Sequence, residues 1–325
     1  MRRRTFLSLL GALPAWPLAV LAQSPGGVRR IGFLGDFSPT FDAPLLSAFR
    51  EQLGRLGYAP SSFEIDYRGA EARFERFPAL VTELLGTMVQ IIVAPGNAAA
   101  LAAKGATATI PVVMIGVLDP VGSGLVTSLK QPGGNITGLS SIGLEIEVRR
   151  LELLYEIIPN LSRVAVILDP DNPVDAASAK LLGAALVAMQ GRLLTLPVTK
   201  AGDIDLAFNT MLAEKAEALL VLSPRAYMQT QERLKEFVAR NRLPAIFPDP
   251  YFADSGSLLS FEENDEDLYR RAAEYVDKIL KGAKPGELPI EEPVKFNLRV
   301  NLKAARAIGL KVPDTLLRRA VQVIE

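Results

Sequence analysis

The chain alternates short apolar runs with longer amphipathic stretches, and it goes through that alternation twice. Strands are expected over 28–34, 62–67, 89–93 and 111–116, separated by helical patterns over 43–56, 77–88 and 97–104. In the first helix Leu45, Leu46, Phe49, Leu53 and Leu56 recur at the spacing of one helix face. Strands that are apolar throughout are buried on both faces, as in parallel sheets covered by helices. The theme restarts with helices over 145–158, 175–189, 204–213 and 227–241, interleaved with strands over 163–168, 192–198, 218–222 and 244–247. The fold class is therefore α/β, with two Rossmann-like lobes built on parallel sheets.

Gln131-Pro132-Gly133-Gly134-Asn135 lies between the two rounds and is rich in breakers, which makes it a natural boundary. A late series follows: a strand over 256–261, an amphipathic helix over 265–280, a polar link over 284–289, a strand over 294–301 and a short helix over 302–308. If these elements return to the first lobe and cross again, several parallel connections make a multi-strand hinge. The expected lobes are 28–138 with 257–290, and 139–256 with 291–325. An internal echo fits two similar lobes. Each first strand ends in an Asp (Asp36, Asp169), followed by Pro39 and Asp42 or by Pro173 and Asp175, and then a helix. Any βα unit can end this way, so the echo is open to both readings.

Residues 1–22 read as an export signal. Arg2-Arg3-Arg4 precedes an apolar stretch over 6–22, interrupted by Pro14 and Pro17, with Val20-Leu21-Ala22 before Gln23. Arg3-Arg4-Thr5-Phe6-Leu7 has the twin-arginine pattern. Cleavage near Ala22 removes three Arg and no acid, leaving 33 basic against 36 acidic residues and a net charge of −3. An uncleaved anchor is the alternative. No later stretch is long and apolar enough to span a bilayer, so the expected mature chain is periplasmic and not membrane-embedded.

The 325 residues contain no Cys and no His. That excludes disulfides, thiol nucleophiles, Ser-His-Asp triads and His-ligated zinc. Basic and acidic residues number 36 each and no long basic block occurs, which disfavours nucleic acid as a partner. No phosphate-binding loop, dinucleotide fingerprint or complete Ca²⁺ loop is present. The acidic run over 262–267 reads as a solvated helix start. No cofactor, metal or catalytic residue is expected, although carboxylates or Lys could still do chemistry.

In open α/β sheets, ligands bind beyond the carboxyl ends of the strands, where helix N-termini offer free N–H groups. The segments at those ends supply the candidate ligand-binding residues. Asp36, Phe37 and Ser38 follow the first strand, with Phe41 nearby. Gly96, Asn97 and Ala98 follow the third, with Asn97 as a cap for the next helix. Asp119 follows the fourth, and Asp169 and Asn172 open the second lobe. Arg225 could clamp a carboxylate with two hydrogen bonds. Asp249 and Tyr251 follow the last strand of that lobe. Each has a bland alternative: local capping for Asp36 and Ser38, turn chemistry for Asp119, a solvated Arg225, and core packing for Tyr251.

Several fragments together carry a family resemblance. They are Asp119-Pro120-Val121-Gly122-Ser123-Gly124-Leu125-Val126, Pro132-Gly133-Gly134-Asn135-Ile136-Thr137-Gly138, and Tyr269-Arg270-Arg271-Ala272-Ala273 with Val276-Asp277-Lys278-Ile279-Leu280-Lys281-Gly282. Lys295-Phe296-Asn297-Leu298 and Asn301-Leu302-Lys303 complete the set. In this order they resemble the substrate-binding proteins of ABC transporters, in the family that includes tryptophan-binding members. The resemblance implies a periplasmic-binding-protein fold of the first type, three crossovers and a cleft. It also implies delivery of a small-molecule ligand to an ABC permease and its ATPase. Relatives suggest an amino acid, aromatic or branched. Phe261-Glu262-Glu263-Asn264 stands where many relatives carry an aromatic followed by Gly, which adds acid near the second crossover.

An amino acid would need an anion site, with the helix start at Asn97 and Arg225 as candidates. It would also need a cation site, from Asp36, Asp119 or Asp249, and Phe37, Phe41 and Tyr251 would suit a planar side chain. The expected protein is a monomer that catalyses nothing. Three rivals stand beside it: an exported sensor using the same cleft, a carboxylate-dependent enzyme on a two-lobe fold, and a sugar-responsive repressor core of the same fold class, the last disfavoured by the export signal and the lack of a DNA-binding segment.

Overall fold

A computed structural model describes residues 28–71, 73–222, 224–247 and 257–325. The export-signal expectation over 1–22 lies outside them, as do Asp249, Tyr251 and the side chain of Arg225.

The first sheet contains β1 (Arg29–Gly35), β2 (Phe63–Gly69), β3 (Ile91–Pro95), β4 (Val112–Val117) and β5 (Ile136–Ser140), all parallel, in the order β2-β1-β3-β4-β5. Helices α1 (Ala43–Arg55), α2 (Phe77–Gly86) and α3 (Gly96–Ala106) connect the first four strands. Strand alternation explains the double covering. Ile31, Phe33, Ile91, Val93, Val113 and Ile115 face one core with α1, while Ile92, Ala94, Val112 and Met114 face another with α2 and α3.

The second sheet contains β6 (Arg163–Leu168), β7 (Arg192–Pro197), β8 (Ala218–Val221), β9 (Ala245–Ile246), β10 (Leu259–Glu263), β11 (Phe296–Asn301) and β12 (Gln322–Ile324). Read from β7, its order is β7-β6-β8-β9-β10-β11-β12, so its first five strands repeat the order of the first sheet. Among the described residues only the β10–β11 pairing is antiparallel. Helices α4 (Glu145–Ile157) and α5 (Pro173–Ala188) cover one face, α6 (Ile204–Ala213) and α7 (Pro224–Arg240) the other.

Among the described residues three segments cross between the sheets. The first runs from β5 to α4. The second leads from β10 to α8 (Asp265–Leu280), which leaves the second sheet and packs on α1. Leu268, Tyr269, Ala272, Tyr275, Val276 and Ile279 of α8 join the core of Phe33 and Phe49. The third returns from 290 to β11. These crossovers are laced together. The Glu263 carboxylate accepts from Ser141 Oγ at 2.7 Å and from the Ile142 N–H at 2.8 Å. Ser140 N–H donates to the Glu291 carbonyl at 3.0 Å, and Asn264 N–H to that of Lys295 at 3.0 Å.

Two sequence expectations shift. The strand assigned with 257–290 to the first lobe, β10, is hydrogen-bonded to β9 and β11 in the second sheet, and the crossover comes after Glu263. The breaker-rich 131–135 is a loop within the first lobe, because β5 follows it and pairs with β4 before the chain crosses. Two C-terminal elements, α9 (Leu302–Ile308) and α10 (Asp314–Leu317), pack on the second sheet.

Candidate ligand-binding site

A cavity of about 390 Å³ opens at the carboxyl ends of β1, β3 and β4. Asp36 and Phe37 reach it from β1, Phe41 and Asp42 from the entry to α1, and Gly96 from the start of α3. Glu263, Asp265 and Tyr269 close it from the second crossover and α8. Four residues singled out from the sequence thus share one space: Asp36, Phe37, Phe41 and Gly96.

The local geometry follows from a phenol. Tyr67 of β2 donates to the Asp42 carboxylate and lies 3.1 Å from the Phe37 carbonyl. Its hydroxyl reaches them because position 35 is Gly: a Cβ there would sit 1.8 Å from that oxygen. Ser38 stays local, its Oγ accepting from the Phe41 N–H at 3.2 Å. The result is a rim of two rings, Phe37 and Phe41, with centroids 4.5 Å apart and planes at 46°. They are 39% and 57% exposed, large apolar faces left open to a guest.

The electrostatics are one-sided. Asp36, Asp42, Glu263 and Asp265 line the cavity, and among the described residues no Lys or Arg does. Burial, and then the neighbouring Asp42, raise the Asp36 carboxyl to about 6. Burial first, and the bond to Asp42 next, push the Tyr67 phenol far up, and burial does the same for Tyr269, so both stay neutral donors. Beside Asp36 stands the N-terminus of α3. Gly96 takes φ +70°, which turns the chain from β3 directly into the helix. The first N–H groups of an α-helix have no intrahelical acceptor and favour an anion. A Cβ at Gly96 would lie 4.0 Å from Asp36 Oδ2, so the anion-favouring and cation-favouring surfaces are adjacent.

Asn97 does not cap α3; the cap position is Pro95. The Asn97 amide instead latches β4, donating to the Leu118 carbonyl at 2.7 Å and accepting from the Leu118 N–H at 2.9 Å. Ala98 is exposed in the first turn. Asp119, at φ +43°, accepts from the Gly122 N–H at 2.8 Å within its own turn. That turn borders a separate opening of about 850 Å³ between the first lobe and Val174, Ala177 and Leu181 of α5.

In the second lobe, Asp169 and Asn172 belong to a network around buried Asp175. The Asp169 N–H and the Asn172 Nδ2 donate to the Asp175 carboxylate at 2.9 and 2.7 Å, and Asn172 Oδ1 caps α5 from the Val174 N–H at 3.0 Å. The echo between the lobes is thus physical. Asp42 and Asp175 each lie six residues past the strand-end Asp, are 5% and 4% exposed, and anchor the βα turn. Sequence reasoning did not single out Tyr67, Glu263, Asp265 or Tyr269 for the site. The first lies a strand away, and the rest come from the end of β10 and from α8, more than two hundred residues downstream.

Comparison with known proteins agrees with this architecture. A tyrosine-binding protein of Clostridioides difficile (strain R20291) is 23% identical over 264 residues, covering 81% of this chain and 76% of the relative. The ligand-free, open structure of a substrate binding protein with adhesive properties from Clostridium difficile superposes with a TM-score of 0.80 at 20% identity, over 92% of this chain and 99% of that one. An ABC domain in complex with L-Trp from Streptococcus pneumonia gives 0.73 at 23% identity, over 92% and 100%. The fold is that of the periplasmic binding proteins of the first type. The profile for ABC transporter substrate binding proteins matches residues 43–324, and the chain belongs to that family.

Proposed function

We propose that the chain is the extracytoplasmic solute-binding component of an ABC importer and captures an amino acid with an aromatic side chain by closing its two lobes. One observation carries the reading: a helix N-terminus and a carboxylate face the same cavity a few ångströms apart, beneath two exposed rings. The carboxylate and ammonium of an amino acid sit side by side on one carbon, and such a ligand satisfies both surfaces at once. The names of the relatives, tyrosine-binding and L-Trp-bound, support an aromatic guest.

The ligand enters on the first lobe and draws in the second, where Arg225, Asp249 and Tyr251 would complete the contacts. Closure is driven by differential affinity. Taking a 1:99 equilibrium to 99:1 needs about 5.5 kcal/mol, well within the roughly 8 kcal/mol of a micromolar ligand. The permease and its ATPase then read the closed shape. On this reading the chain is exported, is cleaved near Ala22, acts as a periplasmic monomer and catalyses no reaction. Calorimetry with the twenty amino acids tests it. Heat from the aromatic members is expected, and silence across all twenty removes the ligand class.

A further inference from the structure

The acidic wall of the first-lobe cavity is not uniform. Asp42 is engaged by the Tyr67 hydroxyl, and Glu263 by Ser141 and Ile142. Asp265 has interactions of its own. Among the described residues, the Asp36 carboxylate makes no hydrogen bond or ion pair. A second group shares that condition. Tyr269 is only 7% exposed, and its ring lies against Phe33 at a centroid distance of 5.8 Å. It lines the same cavity, where Asp42, Asp265 and Asp36 act on its phenol, yet its hydroxyl makes no hydrogen bond among the described residues. The ring is buried while the hydroxyl opens to the cavity, so this oxygen is available to a guest.

A cationic partner suits the space, because four carboxylates and, among the described residues, no basic side chain line it. A bare divalent ion fits poorly. Ca²⁺ and Mg²⁺ take six or more oxygens, and only two side chains here lack partners. A primary ammonium has three N–H donors and suits a carboxylate and a phenol oxygen that face one cavity. We propose that Asp36 and Tyr269 together form a receptor for a primary ammonium group, and that this pair decides which solutes the chain accepts. The proposal rests on the cleft being a solute site and adds the discriminating chemistry. Primary amines enter, while analogues that keep ring and carboxylate but lack the amine are refused. Tyr269 belongs to α8, the helix that follows the second crossover, so the ammonium also touches the element joined to the hinge.

The test is calorimetry with L-tyrosine, L-tryptophan and L-phenylalanine beside their des-amino counterparts, 3-(4-hydroxyphenyl)propionate, indole-3-propionate and 3-phenylpropionate. At least one amino acid should bind, with its des-amino partner weaker by about 100-fold or more. Asp36→Asn should weaken the amino acid by about 10- to 100-fold and Tyr269→Phe by about tenfold, with the double variant departing from additivity. Neither variant should lower the melting temperature of the unliganded protein, because neither group has a partner to lose. Asp36→Asn should raise it by removing a charge buried beside Asp42. A purely structural role predicts the opposite. If an amino acid binds and Asp36→Asn leaves its affinity unchanged, or the des-amino partner binds equally well, the ammonium receptor is overturned and the solute-binding reading stands. If none of the amines binds, both fall.

Discussion

One carboxylate ties two of the three crossovers together, and its removal has a calculable cost. Glu263 Oε1 accepts from Ser141 Oγ at 2.7 Å and from the Ile142 N–H at 2.8 Å, tying the first crossover to the second across more than 120 residues of chain. Hydrogen bonds to an ionised group contribute about 1.5–3 kcal/mol each. Ser141, Ile142 and Glu263 are all half-buried, so water recovers part of the loss. Glu263→Ala should therefore destabilise the fold by about 2 kcal/mol, and Glu263→Gln, which keeps a neutral acceptor, by about 1 kcal/mol. For a chain of this size 2 kcal/mol lowers Tm by about 3 °C. Urea unfolding followed by far-ultraviolet circular dichroism resolves the difference. An Ala variant as stable as the parent, or a Gln variant as damaged as the Ala variant, would refute the clamp.

Binding of a primary amine should weaken below pH 6. Asp36 titrates at about 6 instead of its ordinary 3.8, and one pH unit below that midpoint about one carboxyl in eleven is ionised, so affinity drops about tenfold. Asp42, Glu263 and Asp265 face the same cavity, and Tyr67 and Tyr269 stay neutral throughout the window. For the unliganded protein the sign reverses. A carboxyl raised on folding favours the folded state below 3.8, and that contribution is lost as pH rises from 3.8 to about 6. Calorimetry and melting curves across pH 4–8 check both. Tyr67→Phe leaves buried Asp42 without its donor and should cost about 1–3 kcal/mol in urea. Asn97→Ala breaks both bonds to Leu118 and should cost about 1–2 kcal/mol; an unchanged midpoint would mean the latch is idle.

The sheets were legible because parallel strands are buried on both faces and show as unbroken apolar runs, such as Ile91-Ile92-Val93-Ala94. β5 escaped notice. Its sequence, Ile136-Thr137-Gly138-Leu139-Ser140, mixes Thr, Gly and Ser and follows directly on Pro132-Gly133-Gly134, yet all five residues are buried between β4 and the third crossover. β10 ends in Glu262-Glu263, which read as solvated. The acids are there because the Arg299 guanidinium pairs with Glu262, and Ser141 with Glu263. At the site, strand-end rules located Asp36, Phe37 and Gly96, since their places depend on local topology. The same rules could not tell an engaged carboxylate from a free one. Asp119 and Asp36 both follow strands, but only the structure shows Asp119 occupied by its own turn. Tyr269 arrives on a helix returning from the far lobe, a contact that no local pattern encodes.

Lobe closure can be measured directly, because the chain has no native Cys to compete for labels. Leu101→Cys in α3 and Leu206→Cys in α6 place spin labels on the two lobes at side chains 44% and 73% exposed, outside both cores. Double electron–electron resonance on this pair, with and without the amino acid that saturates the protein in calorimetry, should show one distance distribution replaced by a shorter one. A distribution unmoved by a ligand proven to be bound would contradict capture by closure.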